Sequence, residues 1–572
     1  MVEDKRISRI NSSAGPFSKI AVPPWLILMV GVAIVTSLAA VSFDSSLRGK
    51  GDDAHYVVLA QAIANGMGLR QINSPRMPME TTFPFGFPLL LAPIIRVFGV
   101  NIAALKLVPL VCSIAAVVAT YWLYALCLNR AWASLLALIV ASCPLVISFS
   151  TQLRSEVPFL FLSTLSLALG ISWAREENLL TPRFFFLALV LSLALLTRTV
   201  GIILILAVIL CCWLEQHKKK ALVLAAVVAL TTAPFFVLSQ SSPAQDTSYV
   251  FRALHIEPNL EESRTLSGSE VALRLGSYAW KYAQDLPEVF LLPFAAAAHR
   301  LGMSALTYAL ALAVVGLIGV GMKAELGSRR RLLAIYAPLY ILVLLPQPAC
   351  EPRYLLPVVP LLPWFAIRGT EVLAAGAHSV FPRIKPAGAQ VALAVLLVIG
   401  GLLGGVHAAV TKPDKLMNLP EVVDYKMAGM WIAANTPGDA IILCLKPFYM
   451  YLWAGRRTEG FPASARSAAL ESWVRQTKAT HLVVDNFGWQ DKRTAFFRRL
   501  AKRDPQSYRL LYSAQTNSAA PTLVCRIVSP PSAASSSGYV RGSDYCCHHP
   551  SCMGERPLAA SYPGPRQTTE VR

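Results

Sequence analysis

The chain has 572 residues, of which 55% are hydrophobic and only 15% charged, and its formal net charge is +20. This composition excludes an ordinary soluble enzyme and predicts a polytopic helical membrane protein. The basic residues form no stripe with interleaved aromatic residues, so no nucleic-acid partner is expected.

Long uncharged segments recur along the chain, and most are near the ~20 residues that cross a hydrocarbon core as a helix. Shorter apolar segments complete a set of about eleven transmembrane helices, whereas the short segment 85–98 is expected to lie in the interface. The predicted spans are 20–43, 107–129, 131–153, 157–174, 184–197, 199–214, 221–245, 301–322, 332–350, 354–367 and 386–411.

The positive charges predict the orientation. With the N-terminal tail in the cytoplasm, clusters such as Lys218 to Lys220 and Arg329 to Arg331 fall inside, as the positive-inside rule requires. The loops 44–84 and 241–300, and everything after residue 411, then lie outside. The chain is therefore predicted to be a multi-pass protein of the inner (plasma) membrane with an extracytoplasmic C-terminal part.

Composition divides the chain into four parts: a cytoplasmic tail 1–19, a transmembrane core 20–411, an extracytoplasmic α/β domain 412–528 and a disordered tail 529–572. In the α/β domain the patterns predict helices at 420–435, 468–478 and 491–503, and strands at 441–443, 481–484, 509–514 and 522–528. The external loop 241–300 is expected to contain a helix at 271–284. The sequence leaves open whether Cys444 and Cys525 pair.

The most informative segment directly follows the first span. It is Gly51-Asp52-Asp53-Ala54-His55-Tyr56, and Glu80 comes further along the same loop. A carboxylate beside apolar lipid is partly desolvated and is therefore a better base near neutral pH. Asp52 also suits the N-cap of a helix that begins at residue 53, and the two roles are compatible.

The same loop contains ligand types for a divalent cation. His55 and Glu80, with Asp52 and Asp53, supply a nitrogen and carboxylate oxygens, but their spacing is not specific to any ion, so a metal is left open. Walker-type and dinucleotide-binding glycine patterns are absent from the sequence, so neither ATP nor NAD is expected.

Short motifs along the chain resemble those of one enzyme superfamily. The segment Asp52-Asp53-x-x-Tyr56 after the first span, and the proline-rich segment from Pro84 to Pro93, resemble motifs of the GT-C glycosyltransferases. These include family 39 protein O-mannosyltransferases and lipid A aminoarabinose transferases. Further similarities follow in order over most of residues 20–528, at Ser155-Glu156-Val157-Pro158, Thr197-Arg198, Glu351 to Pro357, Trp431 to Pro437, Pro447 to Tyr451 and Gly455-Arg456-Arg457 with Pro462.

The resemblance implies a helical GT-C core that moves a hexosyl or pentosyl group from a polyprenyl-phosphate donor to a lipid, glycan or protein acceptor. Inversion at the anomeric carbon is expected. Asp52 matches the superfamily's catalytic carboxylate, and Asp53 stands where Glu is commoner. Glu80 is a secondary catalytic candidate, because related enzymes often have an acidic residue before the proline-rich segment.

A donor with a phosphodiester requires cations for its leaving phosphate at the bilayer boundary. Arg154, Arg198 and Arg353 fall at the external ends of predicted spans, and Tyr354 adds a phenol beside Arg353. Each arginine also fits the role of an interfacial side chain that extends toward the headgroups. The further site candidates are His55, Tyr56 and Glu156.

Two other classes of function remain open from the sequence. A transporter or flippase of a lipid-linked or small polar substrate would also be polytopic, but its charges are usually near the bilayer midplane and its two halves are related. Here the charges cluster at one face, and no halves are recognisable. A catalytically dead scaffold of the same fold is a third interpretation, against which only the acidic pair argues.

Overall fold

The structure is a computed structural model that describes residues 23–47, 51–240, 253–256, 263–300, 303–383, 385–411, 419–487 and 492–528. The tails predicted at 1–19 and 529–572 lie outside the described residues. The same holds for much of the first part of the loop 241–300.

Residues 23–411 are almost entirely helical. The helices are α1 (Pro24–Val41), α2 (Asp53–Ala64), α3 (Gly86–Phe98), α4 (Ile102–Ala125), α5 (Arg130–Ser142), α6 (Pro144–Phe149), α7 (Glu156–Ala174), α8 (Pro182–Thr197), α9 (Gly201–Leu214), α10 (Lys218–Gln240), α11 (Gly268–Arg300), α12 (Ser304–Leu326), α13 (Arg331–Leu344), α14 (Leu362–His378) and α15 (Pro386–Thr411). A 3₁₀ helix, Pro352–Val358, precedes α14.

The described helices make this a multi-pass membrane protein. Six of them, α1, α4, α7, α10, α12 and α15, are long and apolar enough to cross a membrane, and the 3₁₀ helix with α14 forms a seventh candidate bent by 71°. Every one of the eleven predicted spans coincides with a helix or a pair of helices. Several of these helices have fewer than 18 residues, so the number eleven stays a prediction.

Local sequence signals explain where many helices begin. The side chains of Asn101, Asn129 and Thr181 each accept a hydrogen bond from the backbone N–H three residues later, at 3.1, 2.9 and 3.3 Å. Such caps satisfy N–H groups that have no partner within the helix. Pro24 and Pro182 occupy the first helical position, where proline costs no hydrogen bond.

Two glycines allow α12 and α14 to pack backbone against backbone. A Cβ atom on Gly321 would lie 1.9 Å from the carbonyl oxygen of Phe365, and one on Gly369 would lie 2.0 Å from that of Leu317. Small residues at such crossings allow close helix packing in membranes, where dispersion replaces the hydrophobic effect between helices.

The C-terminal region contains a five-stranded mixed sheet. Its elements are α16 (Pro420–Asn435), β1 (Ile441–Leu443), α17 (Pro447–Ala454), β2 (Arg457–Glu459), α18 (Ser467–Thr477), β3 (His481–Val484), α19 (Lys492–Arg503), β4 (Tyr508–Ala514) and β5 (Thr522–Ile527). The strand order is β2-β1-β3-β5-β4; β1 is parallel to both its neighbours, and β5 is antiparallel to both of its own.

Most elements predicted for this region are confirmed, but α17 and β2 were missed. Helix α17 has the sequence PFYMYLWA and no polar face, and β2 has only three residues. The thiols of Cys444 and Cys525 are both unpaired and buried. Strand β3 lies between their two positions in the sheet.

The edge strand β2 is covered by the loop that follows α2. The Thr458 N–H donates to the carbonyl of Asn73 at 2.8 Å, and the Asn73 side chain donates back to the Thr458 carbonyl at 3.3 Å. Next to them, Ser74 Oγ donates to a carboxylate oxygen of Glu459. An open sheet edge invites unwanted strand pairing, and this loop removes that hazard while it joins the loop to the sheet.

We predict that Gly369→Ala destabilises the protein and that Gly376→Ala does not. Both residues lie in α14, but a Cβ on Gly376 meets nothing within 4 Å, so it contributes only helix propensity. The clash at Gly369 should cost about 1–3 kcal/mol, the typical range for overpacking. Thermal unfolding in detergent measures both variants, and equal midpoints would mean that the two helices do not approach this closely.

Candidate functional site

Helix α2 begins at the two aspartates. Gly51, just before them, has a φ of +121°, and a Cβ there would lie 2.4 Å from a terminal nitrogen of Arg154. Only glycine combines this backbone conformation with so close a contact. Asp52 occupies the N-cap position, as predicted, but its carboxylate makes no capping hydrogen bond. The capping role alone therefore does not account for Asp52.

Asp53 faces a different neighbour. It is 3% exposed, and its Oδ1 accepts a hydrogen bond from the hydroxyl of Tyr449 on α17 at 2.9 Å. Burial raises the pKa of Tyr449, and the negative charge of Asp53 acts in the same direction, so the phenol keeps its proton and remains a donor. This contact joins α2 to the C-terminal region.

Glu80 is the centre of a buried hydrogen-bond cluster. One oxygen accepts from the backbone N–H groups of Thr82 and Phe83, at 2.7 and 3.1 Å. The other contacts Nε2 of His55 at 2.6 Å and Nε2 of Gln71 at 2.9 Å. Burial by itself raises the pKa of Glu80, but His55 and the two N–H groups outweigh it and lower the pKa to about 2.

The ring of His55 is held from two sides. It stacks on Phe448 of α17, with ring centroids 3.7 Å apart and 15° between the planes. Phe83 contacts it edge-on at 4.4 Å. In the part of the chain that the structure describes, no three His, Cys, Asp or Glu side chains lie close enough to hold a metal ion.

A polar network connects α2 to the ends of the membrane helices. The Tyr56 hydroxyl is 2.9 Å from Ser155 Oγ, which also accepts a hydrogen bond from Arg198 at 3.2 Å. Arg198 ends α8 as its C-cap and lies 3.1 Å from Oε1 of Glu156, the first residue of α7.

The same carboxylate oxygen of Glu156 also faces Arg353, at 3.5 Å. Arg353 is paired with Glu351 at 2.7 Å and donates to the Tyr354 hydroxyl at 3.2 Å. The guanidinium groups of Arg198 and Arg353 lie 5.9 and 5.0 Å from the centre of the Tyr354 ring. Glu156 is only 4% exposed, so the carboxylate that these two arginines from separate segments share is buried.

The structure brings most of the predicted site residues together in two adjoining groups. Asp52, Asp53, Arg154 and the Arg198–Glu156–Arg353–Tyr354 network form the first; Asp52 acts electrostatically on Arg353 and on Tyr56. Glu80 and His55 form the second group, where Glu80 contacts backbone and His55 rather than the arginines.

Sequence reasoning missed three residues of α17 and the segment before it. Phe448 and Tyr449 contact His55 and Asp53, and Lys446 acts electrostatically on Asp52 and Asp53. The resemblance noted for Pro447 to Tyr451 assigned no role to these residues, and the other signals were weak. Lys446 is the only charged residue between Asp439 and Arg456, and an aromatic run follows it.

Known proteins share part of this sequence or most of this fold. Residues 83–238 match the family model described as dolichyl-phosphate-mannose-protein mannosyltransferase. No curated protein sequence matches the chain. Among solved structures, ArnT from Cupriavidus metallidurans in the apo state is 12% identical with a TM-score of 0.58, covering 88% of this chain and 97% of its own.

Two further structures are similar over most of this chain. ArnT from Cupriavidus metallidurans bound to undecaprenyl phosphate is 12% identical with a TM-score of 0.55, and 89% of this chain and 98% of that one are covered. The archaeal oligosaccharyltransferase AglB from Archaeoglobus fulgidus, in complex with an inhibitory peptide and a dolichol-phosphate, is 12% identical with a TM-score of 0.51. Here 82% of this chain and 70% of AglB are covered. These likenesses concern the fold.

We predict that Glu80 contributes stability that acid removes. Its pKa of about 2 in the folded protein lies below the ordinary 4.5, so the contribution is complete above about pH 4.5 and is lost as the pH falls toward 2. This difference in pKa corresponds to about 3 kcal/mol in the free energy of unfolding. Glu80→Gln should therefore unfold at a lower temperature than wild type at pH 7. This difference in unfolding temperature should become smaller toward pH 3.5.

The control is Glu270→Gln, which removes a carboxylate from an exposed ion pair with Arg264. Exposed pairs contribute little, so this variant should unfold like wild type at every pH. If the difference in unfolding temperature between Glu80→Gln and wild type stays constant from pH 7 to 3.5, the lowered pKa of Glu80 is contradicted.

Proposed function

Because this chain has the fold of the GT-C superfamily of membrane glycosyltransferases, as its motifs predicted, we propose that it transfers a sugar from a polyprenyl-phosphate donor to an extracytoplasmic acceptor. The sugar is a hexosyl or pentosyl group, and the anomeric carbon is inverted. The acceptor is a lipid, a glycan or a protein. The neighbouring structures that contain undecaprenyl phosphate and dolichol-phosphate support a polyprenyl donor.

The observation that carries this proposal is the convergence of Asp52 with three arginines from three separate segments. Arg154 contacts Gly51, and Arg198 and Arg353 share Glu156. A carboxylate base and a group of cations are what a sugar transfer with a phosphate leaving group requires. The cluster lies where α7, α8 and the 3₁₀ helix begin or end, which suits a donor whose tail is in the bilayer.

In the proposed reaction the acceptor nucleophile attacks the anomeric carbon while Asp52 takes its proton. The bond from that carbon to the phosphate oxygen breaks, and polyprenyl phosphate leaves with the electron pair. Arg198 and Arg353, with Tyr354 and Arg154, stabilise the charge that develops on this phosphate. Glu156 orients Arg198 and Arg353, and Tyr56 extends the network through Ser155.

The other two acidic candidates have supporting roles in this proposal. Asp53 is buried and bound to Tyr449, so it fixes α2 against α17 rather than facing the acceptor. Glu80 has a pKa near 2, which makes it a poor base at neutral pH, and it positions His55 and the backbone at Thr82.

The orientation is part of the proposal. Eleven spans with a cytoplasmic N-terminus in the inner membrane put the ends of the helices that carry the arginines on the external side, as the distribution of Lys and Arg predicts. The transmembrane core is then 20–411 and the extracytoplasmic domain 412–528. A transporter is not favoured, because the matching family and the similar structures are a mannosyltransferase, ArnT and an oligosaccharyltransferase.

We predict that Asp52→Asn abolishes transfer, with a loss of at least 100-fold, because the amide cannot accept the proton. Purified wild type and variant would be assayed with a panel of radiolabelled polyprenyl-phosphate sugars and a membrane extract as acceptor. The matched control is Asp439→Asn, which changes an exposed aspartate of the C-terminal region. An active Asp52→Asn protein would contradict the role of Asp52 as base, so that the base would have to be sought at Asp53 or Glu80, and an inactive wild type would contradict the function.

We predict that Arg353→Gln weakens the binding of undecaprenyl phosphate 10- to 100-fold. A hydrogen bond to a charged group is worth about 1.5–3 kcal/mol, which corresponds to this range. Binding to the detergent-purified chain would be measured directly, without turnover. Arg96→Gln, at an exposed position late in α3, should bind like wild type. Unchanged binding in Arg353→Gln would remove Arg353 from the phosphate site.

A further inference from the structure

Helix α17 lies directly on the acidic helix α2. Phe448 stacks on His55 at 3.7 Å, and Tyr449 donates to Asp53 at 2.9 Å. Val58, Ala62 and Ile72 form a small buried cluster against the next turn of α17. Helix α17 therefore brings the C-terminal region against the candidate site.

The backbone of Lys446, the residue before α17, is fixed by hydrogen bonds to the side chain of Tyr425. The Tyr425 hydroxyl accepts a hydrogen bond from the Lys446 N–H at 3.3 Å and donates to the Lys446 carbonyl at 3.2 Å. Tyr425 is completely buried on α16. Contacts on both sides, from Tyr425 and from Phe448, thus determine where the Lys446 side chain starts.

Lys446 is the residue directly before α17, whose Phe448 and Tyr449 contact α2, and it lies within electrostatic range of the charges of the site. Burial lowers its pKa, and Asp52, Asp485 and Asp53 act against that, whereas Arg154 adds to it. Asp485 has a second cationic neighbour in Arg498, so Lys446 is not required to neutralise it alone. A partly buried lysine near two aspartates is a recognised mark of a candidate functional site.

Carboxylates already engage much of the positive charge that the membrane helices bring to this site. Asp52, Asp53, Glu156 and Glu351 are four carboxylates, and they face three guanidinium groups. Arg198 and Arg353 already share Glu156, and Arg353 also pairs with Glu351. A further cation strengthens the binding of a phosphate to this group, and a lysine suits that role because its ammonium is a compact charge on a flexible side chain.

We propose that the ammonium group of Lys446 binds a phosphate group of a substrate, so that the C-terminal region supplies a binding residue to a site otherwise built by the membrane helices. This inference rests on the proposed function. The phosphate belongs either to the polyprenyl donor or to an acceptor that is itself phosphorylated, and the two sources are separable by experiment.

The test compares Lys446→Gln, Lys446→Met and Lys446→Arg with Lys478→Gln, which changes an exposed lysine of the same region. Binding to the full-length purified chain is measured with undecaprenyl phosphate, and separately with a phosphorylated glycolipid and its dephosphorylated form. The unfolding midpoint of each variant reports whether it is folded. Having two neutral replacements of different polarity means that one unfolded variant does not decide the outcome.

A donor source is indicated if the neutral variants bind undecaprenyl phosphate at least tenfold more weakly and Lys446→Arg restores most of the affinity. An acceptor source is indicated if undecaprenyl phosphate binds normally while preference for the phosphorylated over the dephosphorylated glycolipid is lost. Normal binding of all three ligands by a folded neutral variant would overturn the proposal. These readouts need no turnover, so they remain valid if transfer activity fails for another reason.

Discussion

One buried carboxylate, that of Glu156, is the constraint on which the rest of the site depends. An ionised group at the start of a membrane helix is tolerated only when it is paired, and Glu156 is paired with both Arg198 and Arg353. Those arginines lie at a helix end and in a 3₁₀ helix that are far apart in the chain. The need to neutralise one charge therefore fixes the relative positions of three segments, and Ser155 extends the same network to Tyr56 on α2.

The two adjacent aspartates at the start of α2 have different surroundings. Successive residues of an α-helix point about 100° apart, so the side chains of Asp52 and Asp53 leave the start of α2 in different directions. Asp53 turns toward Tyr449 and is buried, whereas Asp52 stays half-buried beside the arginine-bearing segments. A shorter side chain at position 53 than the Glu common in the superfamily is matched by a phenol that reaches it directly.

Much of the fold was predictable because it depends on local signals. Uncharged runs marked the membrane helices, and short apolar segments marked β1, β3, β4 and β5. The residues of the arginine network were predicted from short motifs, although their pairing through Glu156 was not. The contribution of α17 was missed, because an aromatic helix without a polar face resembles any buried segment. Its contacts with α2 join residues almost 400 positions apart, and such long-range packing leaves no local pattern.

The pairing of Asn73 with Thr458 has a consequence for how the protein is made. The two residues are 385 positions apart, and between them lie almost all the membrane helices. A ribosome that synthesises the chain in order exposes Asp52 early and residue 458 late. During that interval α2 lacks Tyr449 and the loop lacks its partner strand. The contacts that hold the acidic helix against the C-terminal region are thus the last to be completed.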